Sequence, residues 1–328
     1  MTNLPPLSRR FLLAAAALAL APTMASAQSW PTAKPIRIVV AYPAGGVSDN
    51  VARALADKLA VQLGTPVVIE NKAGASGSLG VDAVAKAAPD GYTLLMSVIS
   101  GLSISPTLYG GGDFDPIADF IHVSIASRNP SVLVVNPAFA AKTFGEYVAY
   151  AKANPGKLTY ASAGNGSGQH VLAAALWSQA GVDIVHVPYR GAQPAYADLL
   201  GDRVDLFFDL TPTTRAHVET GKLKAIAVSS AARNPMQPGV QTINESGVVK
   251  LDLESWFGFF APARTPPEVL ARLRTELATI IATPELQDTF RKAGGSPMNI
   301  SVADTRTMLA RDVQRWTGLI RAANISLD

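Results

Sequence analysis

Apolar runs and helical stripes alternate along this chain from residue 36 onward. Ile36 to Tyr42 carries few polar breaks, the pattern of a strand buried on both faces of a parallel sheet. Asp49 to Leu63 repeats Val51, Leu55, Leu59 and Leu63 at helical spacing, with Ser48 or Asp49 placed to cap its start and Gly64 to close its end. Pro66 to Glu70 reads as the next strand, Asn71 to Gly77 as a loop, Leu79 to Ala88 as a helix and Tyr92 to Ser97 as a third strand. Such alternation favours a parallel sheet built from βαβ units.

A second series begins after Pro130. Val132 to Val135, Leu158 to Ser162, Ile184 to Pro188, Val204 to Phe208 and Ala225 to Val228 read as strands. Between them Phe144 to Lys152, His170 to Ala180 and Ala195 to Leu200 read as helices, and Gly181 stands where a C-terminal glycine belongs. Ser255 to Pro262 is a dense aromatic strand. From Thr265 the pattern is helical to the end, with further helices near Pro284 and Val302. Three helices in a row suit packing back onto the first unit. The pattern predicts lobe 1 at 28–126 plus 256–328, lobe 2 at 131–250, and crossings near 127–130 and 251–255.

The first residues stand apart. Arg9-Arg10 precedes the short apolar stretch Phe11 to Ala21, and Ala25-Ser26-Ala27 supplies an A-x-A site, so 1–27 reads as an export signal cleaved after Ala27. Phe11 follows the arginine pair one place early for the usual twin-arginine pattern, and both general and twin-arginine export stay open. The apolar stretch falls short of the roughly 20 residues that a membrane span needs. The roughly 300 remaining residues exceed the usual size of one core.

The formal charge is 28 − 25 = +3, and losing Arg9 and Arg10 brings it to +1. That near-neutral balance offers no basic face to nucleic acid. With no cysteine, disulfides, thiol catalysis, cysteine metal sites and a lipoprotein anchor are excluded. Scattered His122, His170, His186 and His217 show no metal-ligand spacing, no catalytic signature is present and no cofactor is expected. The run Gly110 to Asp115 lacks EF-hand spacing and reads as a surface turn.

Candidate chemistry lies in two glycine loops, each between a strand and a helix start. Pro43-Ala44-Gly45-Gly46-Val47-Ser48-Asp49 follows Tyr42, and Ala163-Gly164-Asn165-Gly166-Ser167-Gly168-Gln169-His170 follows Ser162. Helix N-termini offer unpaired amides and a positive dipole end, and glycine admits a close ligand. Neither loop is a P-loop or a dinucleotide fingerprint. The plain alternative is a tight turn. Arg190, in a third strand–turn–helix junction, is placed to pair with a carboxylate or with solvent. Ser97 and Asp209 end strands where α/β crevices bind ligands, or they satisfy local backbone.

In order and content these motifs resemble the Bug (TctC-like) receptors. The matching stretches are Lys34 to Val40 running into Pro43-Ala44-Gly45-Gly46, Val67 to Gly74, Ala87 to Leu95, Val132 to Pro137, Ala151 to Leu158, the second glycine loop, His186 to Gly191 and Ser255 to Gly258. The resemblance implies an α/β, two-lobed type II periplasmic-binding-protein fold, each lobe a mainly parallel sheet flanked by helices. It also implies a pincer of Ala44–Asp49 and Gly164–His170 on one carboxylate. The candidate contacts are Tyr42, Ala44, Gly45, Gly46, Ser48, Asp49, Ser97, Ser162, Gly164, Asn165, Gly166, Ser167, His170, Arg190 and Asp209. The expected ligand is a di- or tricarboxylate, an amino acid or an aromatic acid. The expected partners are subunits of a tripartite tricarboxylate transporter or, alternatively, a membrane sensor kinase. A hydrolase using Ser167 and His170 is the remaining alternative. Asp209-Leu210-Thr211-Pro212 departs from the family's frequent Asp-Asn-Leu-Pro, Ser105 replaces a frequent asparagine, and Arg128 and Arg215 are unusual candidates for a distal carboxylate.

Overall fold

The computed structural model describes residues 30–110, 113–292, 295–298 and 300–327. The expected export signal lies outside the described residues. Among the described residues ten strands form one curled, mixed sheet: β1 (Ile36–Val40), β2 (Val67–Asn71), β3 (Thr93–Val98), β4 (Phe120–Val135), β5 (Thr159–Ser162), β6 (Val185–Pro188), β7 (Leu206–Leu210), β8 (Lys224–Val228), β9 (Glu254–Pro262) and β10 (Ser296–Pro297). Their order is β2-β1-β3-β9-β4-β7-β5-β6, with β8 and β10 attached to β4. No helix among the described residues is long and apolar enough to cross a membrane.

Parallel pairing, expected for the main part of each sheet, holds for β1 with β2 and β3 and for β5 with β6 and β7. Pairing around β4 and β9 is antiparallel. Both strands carry the chain between the two parallel groups and lack the crossover helix that parallel neighbours need.

β4 is the largest surprise against the sequence pattern, which predicts only its last four residues. Its first part pairs with β9 up to Pro130 opposite Glu254. From Ser131 opposite Leu210 it pairs with β7 and β8. Pro130 has no N–H for a ladder and sits where the partner changes, and its carbonyl accepts from the Thr211 hydroxyl at 2.8 Å. His122, Ser124, Ser127, Arg128 and Asn129 break the apolar run, which hides the strand. The return switch is at Leu253, whose amide donates to Ser229 O in the second group, and Glu254, which opens β9 in the first.

β9 shows why aromatic residues crowd there. Phe257 and Phe259 enter one core cluster, while Trp256 and Phe260 enter another, following the two-residue period of a strand. All four are at most 1% exposed, and burying each contributes about 2 kcal/mol.

The helix Pro267–Ile281 packs on the helix Val47–Leu63 and on β4. The last helix, Val302–Ala322, differs. It packs on β4 and the wide turn Ser100–Ile104, and it also reaches the helix Gly168–Ala180 of the second group. Asp312 on that helix accepts from the Trp256 indole at 3.0 Å.

Candidate ligand-binding site

The two glycine loops are built alike. β1 runs into the first, and the helix Val47–Leu63 begins at Gly46. Ser48 and Asp49 are therefore inside the helix and do not cap it as expected. Asp49 instead reaches back, its Oδ2 accepting from the Gly45 amide at 2.9 Å. β5 runs into the second loop, and the helix Gly168–Ala180 is capped by Ser167, whose hydroxyl accepts from the His170 amide at 3.2 Å. Here too a side chain reaches back four residues: His170 Nδ1 accepts from the Gly166 amide at 3.1 Å. In each junction the helix's first turn fastens the glycine that precedes it, leaving first-turn amides such as Val47 and Ser48, or Gly168 and Gln169, without intrahelical partners.

Asp49 is held by more than its loop. Asn71 Nδ2 donates to its Oδ1 at 2.9 Å and Arg53 Nε to its Oδ2 at 3.0 Å. Burial pushes its carboxyl up, but the hydrogen bonds from Arg53, Gly45 and Asn71 outweigh this and bring it down to about 2. The acid that a bound anion would meet is thus saturated and neutralised by Arg53.

Behind the second loop lies an aromatic stack. The His170 and His186 rings are 3.9 Å apart and 8° from parallel, and Tyr160 stacks on His186 at 4.8 Å. His186 Nε2 is 2.7 Å from Ser162 Oγ, and that hydroxyl accepts from the Gly164 amide at 3.1 Å. Burial lowers His170 to about 4; burial, then the neighbouring His170, lowers His186 to about 3. Both rings are neutral at pH 7. Ser162, buried completely, is a brace within the loop.

Asp209 is 1% exposed and accepts from Gln169 Nε2 at 2.9 Å and Tyr196 Oη at 3.0 Å. Burial raises its pKa against those bonds. Gln169 belongs to the second loop, so Asp209 braces that loop from the end of β7. Ser97 is likewise buried, its hydroxyl turned to Val98 O. The Tyr42 hydroxyl sits 2.9 Å from Ser100 Oγ and 3.1 Å from the Gly101 amide.

Of the four cationic or acidic candidates outside the loops, Arg190 alone is exposed and makes no ion pair or hydrogen bond among the described residues. It stands between Tyr189 and Gly191, whose amides donate to Ser162 O and Ala163 O at the root of the second loop. Arg128 pairs with Glu254 at 3.4 Å and Arg215 with Glu219 at 2.6 Å, so neither is free to await a distal carboxylate.

The catalytic alternative finds no geometry. The Ser167 hydroxyl is taken by a backbone amide, the His170 ring by Gly166, and the buried acid Asp209 by Gln169 and Tyr196. No group of three or more His, Cys, Asp or Glu among the described residues could hold a metal.

Sequence reasoning missed Asn71, Arg53, His186 and Tyr196, which hold the site from behind. It also missed Ser76 and Tyr109. Their hydroxyls donate to Asn165 O at 2.9 and 3.2 Å, joining the first group to the second loop. Gly74 and Gly77 flanking Ser76 were the available signal of a special turn.

Comparison with known proteins places the chain in a family. Residues 51–325 match the tripartite tricarboxylate transporter family receptor, TctC. BugT of Bordetella pertussis is 35% identical over 307 residues, covering 92% of this chain and 93% of BugT. R. palustris Rpa4515, solved with adipate, is 30% identical with a TM-score of 0.85, over 91% of this chain and 99% of that one. MatC of Rhodopseudomonas palustris, solved with bound malate, is 28% identical with a TM-score of 0.81, over 88% and 99%. By sequence and by fold, this chain belongs to the TctC, or Bug, family of tripartite tricarboxylate transporter receptors.

Proposed function

We propose that this chain is a periplasmic receptor for a small dicarboxylate, exported by the signal at 1–27 and serving a membrane transporter of the tripartite type. Residues 28–126 with 256–328 form one lobe and 131–250 the other. The lobes hinge where β4 and the 251–255 segment change sheet partners. The two glycine loops grip one carboxylate with backbone amides and the Ser48 and Ser167 side of each helix start, and Arg190 meets the second carboxylate. Asp49, Ser162, His170 and Asp209 shape these loops from behind and, like the buried Ser97, do not bind the acid themselves.

The observation that carries this reading is the like construction of the two loops: each fastens one glycine amide to its own helix and leaves the following first-turn amides free to face an anion. The free Arg190 beside the second loop favours a ligand with a second negative end. Adipate and malate, held by two relatives, each carry two carboxylates. Closure follows from a ligand that touches both lobes, because such a ligand stabilises the closed form by its preference for it.

A thermal-shift series with adipate, malate, citrate, glutamate, benzoate and neutral ribose tests the reading. At 100 times Kd a ligand adds about 2.7 kcal/mol of stability. A dicarboxylate is expected to raise the melting temperature most. A series in which no acid shifts the melt, while ribose does, overturns the proposal.

A further inference from the structure

The second loop is tied to the opposite lobe by protein atoms alone. Asn165 O accepts from Ser76 Oγ at 2.9 Å and from Tyr109 Oη at 3.2 Å. Gly166 closes the same contact: a Cβ there would lie 3.1 Å from Ser76 Oγ, 3.2 Å from Tyr109 Cε2 and 3.3 Å from Leu108 Cδ1. The absent side chain lets the backbone of one lobe meet two hydroxyls of the other. Ser76 is held for this purpose at φ 52°, ψ 29°, next to Ala75 at φ 45°. Two successive non-glycine residues in the left-handed region are costly, and such strain persists only where the surroundings fix it. Ser105 helps to do so, its hydroxyl donating to Ala75 O at 3.0 Å.

We propose that Ser76 and Tyr109 are positioning residues that latch the second glycine loop to the opposite lobe through the Asn165 carbonyl, setting how long a ligand is retained without touching it. The inference rests on the hinged-receptor reading above. The acceptor is a backbone carbonyl, so the latch needs nothing from the Asn165 side chain, and it reports only whether the lobes have met. It forms behind the ligand on closure and must break before release. Its loss therefore raises the dissociation rate, where most effects of removing contacts fall.

The chain has no cysteine, so a pair introduced by Leu79→Cys and Gln193→Cys takes spin labels at those two places only. Both residues are exposed, Leu79 three residues after Ser76 and Gln193 in the helix after Arg190. In buffer without added acid, S76A/Y109F in this background is expected to lose the short-distance population and move to longer distances. S76G removes the hydroxyl but relaxes the left-handed backbone, and is expected to open the pair as S76A does. S76N tolerates that backbone and restores a donor, and is expected to keep the short distances. Identical distance distributions in parent and S76A/Y109F overturn the latch. With adipate as probe, dissociation is expected to quicken roughly threefold to tenfold in S76A/Y109F, as for the loss of one to two net hydrogen bonds. An unchanged dissociation rate overturns the retention role. If the distances shift but no carboxylate binds the parent protein, the latch stands and the ligand assignment falls.

Discussion

The Gly166 amide donates to Nδ1 of His170, 3.1 Å away, so the imidazole shapes the loop that precedes it. Because Nδ1 must accept, the ring has to be neutral. Replacing His170 by Ala leaves a buried amide unpaired and is expected to cost about 1–3 kcal/mol of unfolding free energy. His170→Asn, whose Oδ1 offers an acceptor near the same place, is expected to recover part of it. Urea unfolding at pH 7 measures both, and equal losses in the two variants would show that the acceptor is not what matters.

The same ring and its stacked partner give stability a pH dependence of known sign. The unfolded chain takes up protons on histidine near pH 6.5, about its ordinary value. The folded chain resists protonation until about 4 at His170 and about 3 at His186. Stability is therefore full above 6.5 and falls as pH drops from 6.5 toward 4. The melting temperature is expected to fall over that window, and more gently in His170→Asn. His122, buried and lowered to about 3, keeps some slope in every such variant. A melting temperature flat from pH 7 to 4.5 contradicts this.

The first loop should respond in the opposite range. Asp49 stays charged down to about 2; its contribution to stability is full above its unfolded value near 4 and is lost as pH falls from there through 2. Asp49→Ala leaves the Gly45 amide and Asn71 without their acceptor and is expected to cost about 2 kcal/mol at pH 7. It should also weaken adipate binding although no contact to the ligand is removed. Calorimetry on the folded variant checks the second effect.

Arg190 and Arg215 separate a free cation from a paired one. Arg190→Gln is expected to weaken adipate about tenfold, near 1.4 kcal/mol, and to leave hexanoate, with one carboxylate, unaffected. Arg215→Gln, which only breaks an i,i+4 pair with Glu219, should change neither. Equal effects of Arg190→Gln on both acids would remove Arg190 from distal recognition.

Gly80 opens the helix Ser78–Ala85 against the end of β1. A Cβ there would stand 2.7 Å from Ala41 Cα and 2.9 Å from Lys72 O, both backbone atoms that cannot swing aside. Gly80→Ala is expected to destabilise by at least about 2 kcal/mol despite its better helix propensity. A stabilised variant in thermal melting would mean that the helix slides freely over the sheet.

The glycine loops and their strands were legible because apolar runs ending in bare-backbone turns are written in consecutive residues. The first half of β4 was not, because its buried positions include the polar residues His122, Ser124 and Asn129, and the strand is held there by backbone pairing with β9, far along the chain. In sequence Ser48 or Asp49 reads as a cap because it stands near the helix start, whereas the pairing of Asp49 with Gly45, Arg53 and Asn71 exists only in space. The Ser76 and Tyr109 contacts were hidden for a different reason: they end on a carbonyl, which every residue type carries.

β4 also decides how the molecule comes apart. Sixteen residues of one strand serve as the spine of both sheet groups, and the last helix rests on each of them. Neither half can be excised as an independently expressed fragment without baring a long unpaired edge, which is an invitation to aggregate. The chain should therefore melt as one cooperative unit, and a single calorimetric peak will report an event in either half.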